Sequence, residues 1–186
     1  MRIFPRVTFA ALAAVALLSG CVPTSPIVTP EPLPSSTPIF ATEDDALAAA
    51  TAAYAAYVAA SDTITSSGGN EPERIAPFVS KEQLPKELKG FEIFSTRGYS
   101  TAGKSKFDKV SLQRYSDGSS DPLEVVIYVC SDASGVRLLD QTGADVTPSS
   151  RVDRRAFEVA FRHESGKNEQ LVLTRSEPWT DSDVCS

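Results

Sequence analysis

The chain predicts an α+β domain, with helices first and an antiparallel sheet after them. Three observations carry this. An alanine-rich stretch near residues 42–61 repeats its large residues at helical spacing. From Tyr99 onward the apolar period drops to two, the period of a strand. Between them in kind, Leu123 to Cys130 is a short run of β-branched and aromatic residues, too short for a buried helix. Helices and strands segregated along the chain specify α+β.

Thr42 is placed to cap the first helix, with Asp45 at the capping-box position. Glu43, Asp44 and Asp45 fall in the first turn, where the helix dipole favours negative charge. Leu47, Ala50, Thr51, Tyr54, Tyr57 and Val58 make one face, and the helix is expected to run to about Ser61. Glu71 to Val79 reads as a short helix entered through Pro72. Ser80 is placed to cap another, and after the interruption at Pro85 a helix continues to about Phe94, with Gly98 as its stop.

The strands follow. Tyr99 to Lys104 is a weak one. Phe107 to Tyr115 is better, with strict alternation placing Val110 and Leu112 on one face and Phe107 and Tyr115 on the other. Leu123 to Cys130 and Val136 to Asp140 read as a hairpin around the Ser131–Gly135 turn. Arg155 to His163 alternates with Phe157, Val159 and Phe161 inward. Glu164 to Asn168 turns the chain into a closing strand, Gln170 to Arg175. The expectation is N-terminal helices packed on one curved antiparallel sheet of about five or six strands.

The first twenty residues read as an export signal. Arg2 and Arg6 precede an apolar stretch, Phe9 to Leu18, which at about ten residues is too short to span a bilayer core of about 30 Å. Leu18-Ser19-Gly20-Cys21 then resembles the lipobox of bacterial lipoproteins. That resemblance implies cleavage before Cys21 and diacylation of its sulfur, and with it a lipid anchor in the cell membrane on the extracytoplasmic face. More than one acyl chain suffices for stable anchoring. Val22 to Phe40 carries six prolines among Ser and Thr and reads as an extended tether, reaching up to roughly 55 Å. The division is therefore 1–20 signal peptide, 21–40 lipidated Cys and tether, and 41–186 a single α+β domain.

Removal of the signal takes Arg2 and Arg6 with it, leaving 16 basic against 24 acidic residues, a net charge of −8. That balance excludes nucleic acid as the expected partner, which demands a basic footprint. It also leaves the lipid, not surface charge, to hold the membrane. Of the three cysteines, Cys130 and Cys185 remain after the lipid site. An even remainder in an exported chain is read as one disulfide, with about 4 kcal/mol of chain-entropy stabilisation for a loop of this length.

A long first helix, two short helices and a curved meander resemble the cystatin-like cone of the nuclear transport factor 2-like superfamily. The chain is also similar to small actinobacterial lipoproteins. The residues that carry this are the LSGC box, the Pro/Ser/Thr tether, the alanine-rich helix with Tyr54 and Tyr57, Ile127-Tyr128-Val129-Cys130, the Ser131-Asp132-Ala133-Ser134-Gly135 turn, and Arg175-Ser176-Glu177-Pro178-Trp179 before Cys185. The superfamily implies a pocket between helix and sheet, for which Tyr54, Tyr57, Phe91 and Tyr128 are the candidate lining. Its members include isomerases, cyclases, dehydratases and non-enzymatic binding domains, so fold does not decide function.

No catalytic residue, metal ligand or cofactor site is assigned. His163 is the only histidine and is expected to be exposed, with no nucleophile pair to serve. Asp181 and Asp183 lack the Gly and distant Glu of a calcium loop. Arg151, Asp153, Arg154 and Arg155 read as a solvated charged loop. The expected function is a non-catalytic binding or interaction module, its partner an envelope protein or a small apolar ligand. The alternative is a small cone-pocket enzyme using Tyr54 or Tyr57 with Asp132 as acid and base.

Overall fold

In a computed structural model of the chain, residues 39–118, 122–164, 170–180 and 184–185 are described. The expected signal peptide, Cys21 and the expected tether as far as residue 38 lie outside them. The domain is α+β: among the described residues, three helices pack against antiparallel strands.

The first helix, α1, spans Glu43–Ser66. Thr42 caps it as the sequence specifies: its hydroxyl accepts from Asp45 N at 3.1 Å and donates to Asp45 Oδ2 at 2.8 Å. The helix runs one turn past the expected end because Ile64 is fully buried there. In that last turn the Thr63, Thr65 and Ser66 hydroxyls all donate back to helix carbonyls, so they do not compete with the helix. Pro72–Phe78 is a 3-10 helix, not an α-helix. Pro77 sits inside it and supplies no N–H, so a continuous α-helical bonding pattern cannot run through the segment, and short, tighter 3-10 turns take its place. The second α-helix, α2, spans Leu84–Arg97, and Gly98 ends it in the left-handed region at φ 65°.

Six strands follow among the described residues: β1 Ser100–Ala102, β2 Lys106–Ser116, β3 Glu124–Asp132, β4 Arg137–Leu139, β5 Arg154–His163 and β6 Leu171–Pro178. They divide between two sheets where one was expected. β2-β3-β5-β6 form an antiparallel sheet of four, and β1 pairs with β4 alone. The expected β3–β4 hairpin therefore does not form. Both edges of β3 are taken, by β2 on one side and β5 on the other. The chain leaving β3 has no edge to return to, so it turns out of the sheet and finds β1.

The sheet presents one face to the helices. Val125, Ile127 and Val129 of β3 point there, with Val159 and Phe161 of β5 and Leu171 and Leu173 of β6. They meet Ala46, Ala50, Tyr54 and Ile64 of α1, Ile75, and Phe91 of α2. β2 departs from its sequence reading. Phe107, Val110, Leu112 and Tyr115 all pack on this one core, although strict alternation divides them. Two register shifts explain it, between Asp108 and Ser111 and between Leu112 and Arg114. Each inserts an extra residue and reverses the parity of the strand. Lys109 marks the first bulge, with φ at 51°.

On the other face, Cys130 and Cys185 have their sulfurs 2.04 Å apart, closing 55 residues of sequence. Trp179 N donates to Ala156 O at 2.9 Å, which lays the tail beside β5. We predict that Cys130→Ser/Cys185→Ser lowers unfolding stability by about 4 kcal/mol on the chain-entropy account. Urea denaturation with and without the pair checks it, and equal stabilities would show that the bridge constrains nothing.

Candidate functional site

Tyr54 and Tyr57 lie one helical turn apart on the inward face of α1. Their rings stack at 6.1 Å, and the Tyr54 ring meets Phe107 edge-on at 4.9 Å. Tyr54 is 4% exposed. Burial pushes its hydroxyl up to about 12, against a hydrogen bond with Ser131 that acts the other way. Tyr57 is also raised, first by burial and then by the Glu87 carboxylate beside it. Its hydroxyl donates to Glu87 Oε2 at 2.9 Å, and Gln83 Nε2 donates to Glu87 Oε1 at 2.7 Å. This chain ties α1 to α2. Sequence reasoning missed Glu87 and Gln83, because nothing local marks a helix pair that meets 30 residues apart.

Phe91 joins the same core, 6% exposed. Tyr128 does not. Successive side chains of a strand point to opposite faces, so with Val125, Ile127 and Val129 inward Tyr128 must point outward. There its ring lies 4.9 Å from Trp179. The structure thus brings three of the four aromatic candidates together and places the fourth under the C-terminal tail.

The polar candidates are occupied elsewhere. The Asp132 carboxyl is held well below its usual range, at about 2, first by the Ser134 hydroxyl and N–H and then by Arg154. Arg154 bridges three strands, reaching Asp132 Oδ2 and Asp108 Oδ1 at 2.9 Å each. Arg151 bonds Asp153 at 2.7 Å and the Ala133 and Val136 carbonyls at 2.9 Å, fixing the chain as it leaves β3. The arginines at 151 and 154, read from sequence as a solvated loop, are therefore largely structural; of the four charged residues only Arg155 is exposed. His163 is half-buried, not exposed, because it continues the inward row of β5. Asp181 and Asp183 lie outside the described residues, and no cluster of potential metal ligands occurs among those described.

Among the described residues, grooves lie on both sides of α1. One, of about 250 Å³, is apolar and lies among Phe40, Ala53, Ala56, Phe78 and Leu171. The other, of about 450 Å³, runs between the C-terminal half of α1 and the β1–β2 connection. Its lining includes Val58, Ala59 and Phe107, with Asp62, Lys104 and Lys106. Asp62 accepts from Ser105 N at 2.9 Å and from Ser105 Oγ at 2.7 Å, which fastens the connection to the helix.

No protein-family model matches the chain, and no curated protein matches it. Among solved structures it is similar to the intermembrane space region of the chloroplast protein ARC6. The TM-score is 0.50 at 11% identity, over 72% of this chain and 97% of that one. At that identity the likeness bears on the fold alone.

The Tyr54 hydroxyl has a folded-state value above its unfolded one of about 10, so its stabilisation is complete below pH 10 and lost as pH rises toward 12. Denaturation at several pH values should show stability falling between pH 10 and 12, more steeply in the native chain than in Tyr54→Phe. Absorbance at 295 nm should place the Tyr54 ionisation near pH 12; ionisation near 10 would mean the ring is not buried.

Proposed function

We propose that this chain is a lipid-anchored extracytoplasmic lipoprotein whose folded domain is a non-catalytic binding or interaction module, of the nuclear transport factor 2-like kind. The observation that carries the reading is the use made of Tyr54 and Tyr57. Both sit where a cone pocket would place its chemistry, yet Tyr54 is wedged between Tyr57 and Phe107, and the Tyr57 hydroxyl is given to Glu87. Their raised values also make neither a ready base near neutral pH. Asp132, the carboxylate of the enzymatic alternative, is ion-paired to Arg154 and bonded to its own turn. With the interior used for packing, recognition falls to the surface, and the grooves beside α1 are the places for it. The anchor rests on the Leu18-Ser19-Gly20-Cys21 box and on the apolar stretch before it.

Two experiments test this in an expressing strain. Globomycin, which blocks lipoprotein signal cleavage, should cause the uncleaved precursor to accumulate, and Cys21→Ala should abolish lipid labelling. An unchanged band pattern would refute the anchor. Chemical crosslinking in intact cells should then capture the anchored chain in a complex larger than itself. Recovery only at its own mass would count against an interaction module.

A further inference from the structure

We infer that the Cys130–Cys185 bridge is a clasp, opened by thiol–disulfide exchange at Cys185, that decides whether the outer face of the four-stranded sheet is covered. This face lies across the sheet from α1, so the clasp works independently of whatever the grooves beside α1 bind.

On β3 the outward row includes Tyr128 and Cys130, because Val125, Ile127 and Val129 face the helices. Ala156 of β5 lies directly across from Cys130 in the register. Cys130 has no exposed surface and Ala156 is 6% exposed, although the described helices pack on the opposite side. The segment after β6 supplies the cover. Trp179 N donates to Ala156 O at 2.9 Å, the Trp179 ring lies 4.9 Å from that of Tyr128, and Cys185 is bonded to Cys130.

The cover is not part of the core. Trp179, Thr180, Val184 and Cys185 do not belong to the cluster between sheet and helices, so the sheet keeps its inner contacts when they leave. Apart from the bridge, Trp179 is held by one hydrogen bond and one ring pair, small terms beside a covalent bond. The sequence between Trp179 and Val184, Thr180-Asp181-Ser182-Asp183, supplies no apolar side chain to add to them. Covalent closure is thus what holds the cover down.

The two sulfurs differ in reach. Cys130 sits within β3 with β2 on one side and β5 on the other, fully buried. Cys185 is half-buried and lies beyond the last strand. An incoming thiolate therefore meets Cys185 Sγ first. It bonds to that sulfur, the S–S bond breaks, and the electron pair leaves on Cys130 Sγ, which takes up a proton. The agent is a dithiol, of the kind a Cys-X-X-Cys protein carries. Its second sulfur attacks the mixed disulfide, releases Cys185 as a thiol and closes as a disulfide of its own. Two electrons and two protons pass from the dithiol to the bridge.

The test uses the full chain in detergent micelles, with dithiothreitol as the dithiol and Trp179, the only tryptophan, as the reporter. Without denaturant, reduction should yield two more thiols per chain. Trp179 emission should then move to longer wavelength, and its quenching by acrylamide should rise roughly threefold. The far-UV circular dichroism should be unchanged, because the core is untouched. A brief reaction with glutathione, quenched in acid, unfolded and alkylated, should place glutathione on Cys185 and the alkyl group on Cys130 by mass spectrometry. A bridge that resists dithiothreitol until denaturant is added overturns the proposal. So does reduction that leaves Trp179 emission and quenching unchanged, or that unfolds the sheet, since the bridge would then hold the fold and not a cover. Glutathione on Cys130 instead would contradict the order of exposure on which the exchange depends.

Discussion

The burial of the α1 stripe on the four-stranded sheet is the contact on which the other features depend. Ala46 and Ala50 let the helix approach closely, and Tyr54 fills what remains between it and β2. Fully burying a large side chain stabilises by roughly 1.5–3 kcal/mol, and the interior tolerates few voids. From this contact the rest is placed. Tyr57, one turn on, meets Glu87 and draws α2 against α1. Asp62, farther along the same helix, takes Ser105 and so fixes the start of β2. The grooves on either side of α1 exist because a helix with small side chains along its flanks leaves space beside it.

The fold class was legible because period and composition agree over long stretches. The cap at Thr42 with Asp45, the left-handed stop at Gly98 and the inward row of β5 each follow from a local rule that nothing distant overrides. What was not legible depends on pairing. β2 looks like a simple alternating strand, yet it brings Phe107, Val110, Leu112 and Tyr115 to one side through two bulges. Only the partner strand shows a bulge; the sequence signal is a lysine at positive φ, which no propensity marks. The β3–β4 turn has sound hairpin chemistry, but the edges of β3 were already claimed by β2 and β5. A local turn signal cannot report that.

The candidate site divides the same way. Tyr54, Tyr57 and Phe91 were readable because helical spacing collects them, and the structure keeps them together in the core. Tyr128 was drawn in by its aromatic ring, but strand parity sends it to the opposite face and onto Trp179. Glu87, Ser105 and Lys104 escaped notice, since each acquires meaning only from a residue at least 30 positions away or from the groove it borders. The arginines at 151 and 154 looked like solvated charge, yet they hold the end of the sheet by binding carbonyls and three aspartates.

Hydrogen exchange on the full chain tests the central contact most directly. If the α1 stripe and the sheet form one core, the amides of α1 around Tyr54 and those of β3 around Ile127 exchange through the same global opening, with matching free energies and matching dependence on urea. Tyr54→Ala should then lower both by the same amount. Exchange of α1 at far lower free energy, with β3 still protected at the global value, would contradict the account, because the helix would then be a cover on a sheet that stands without it.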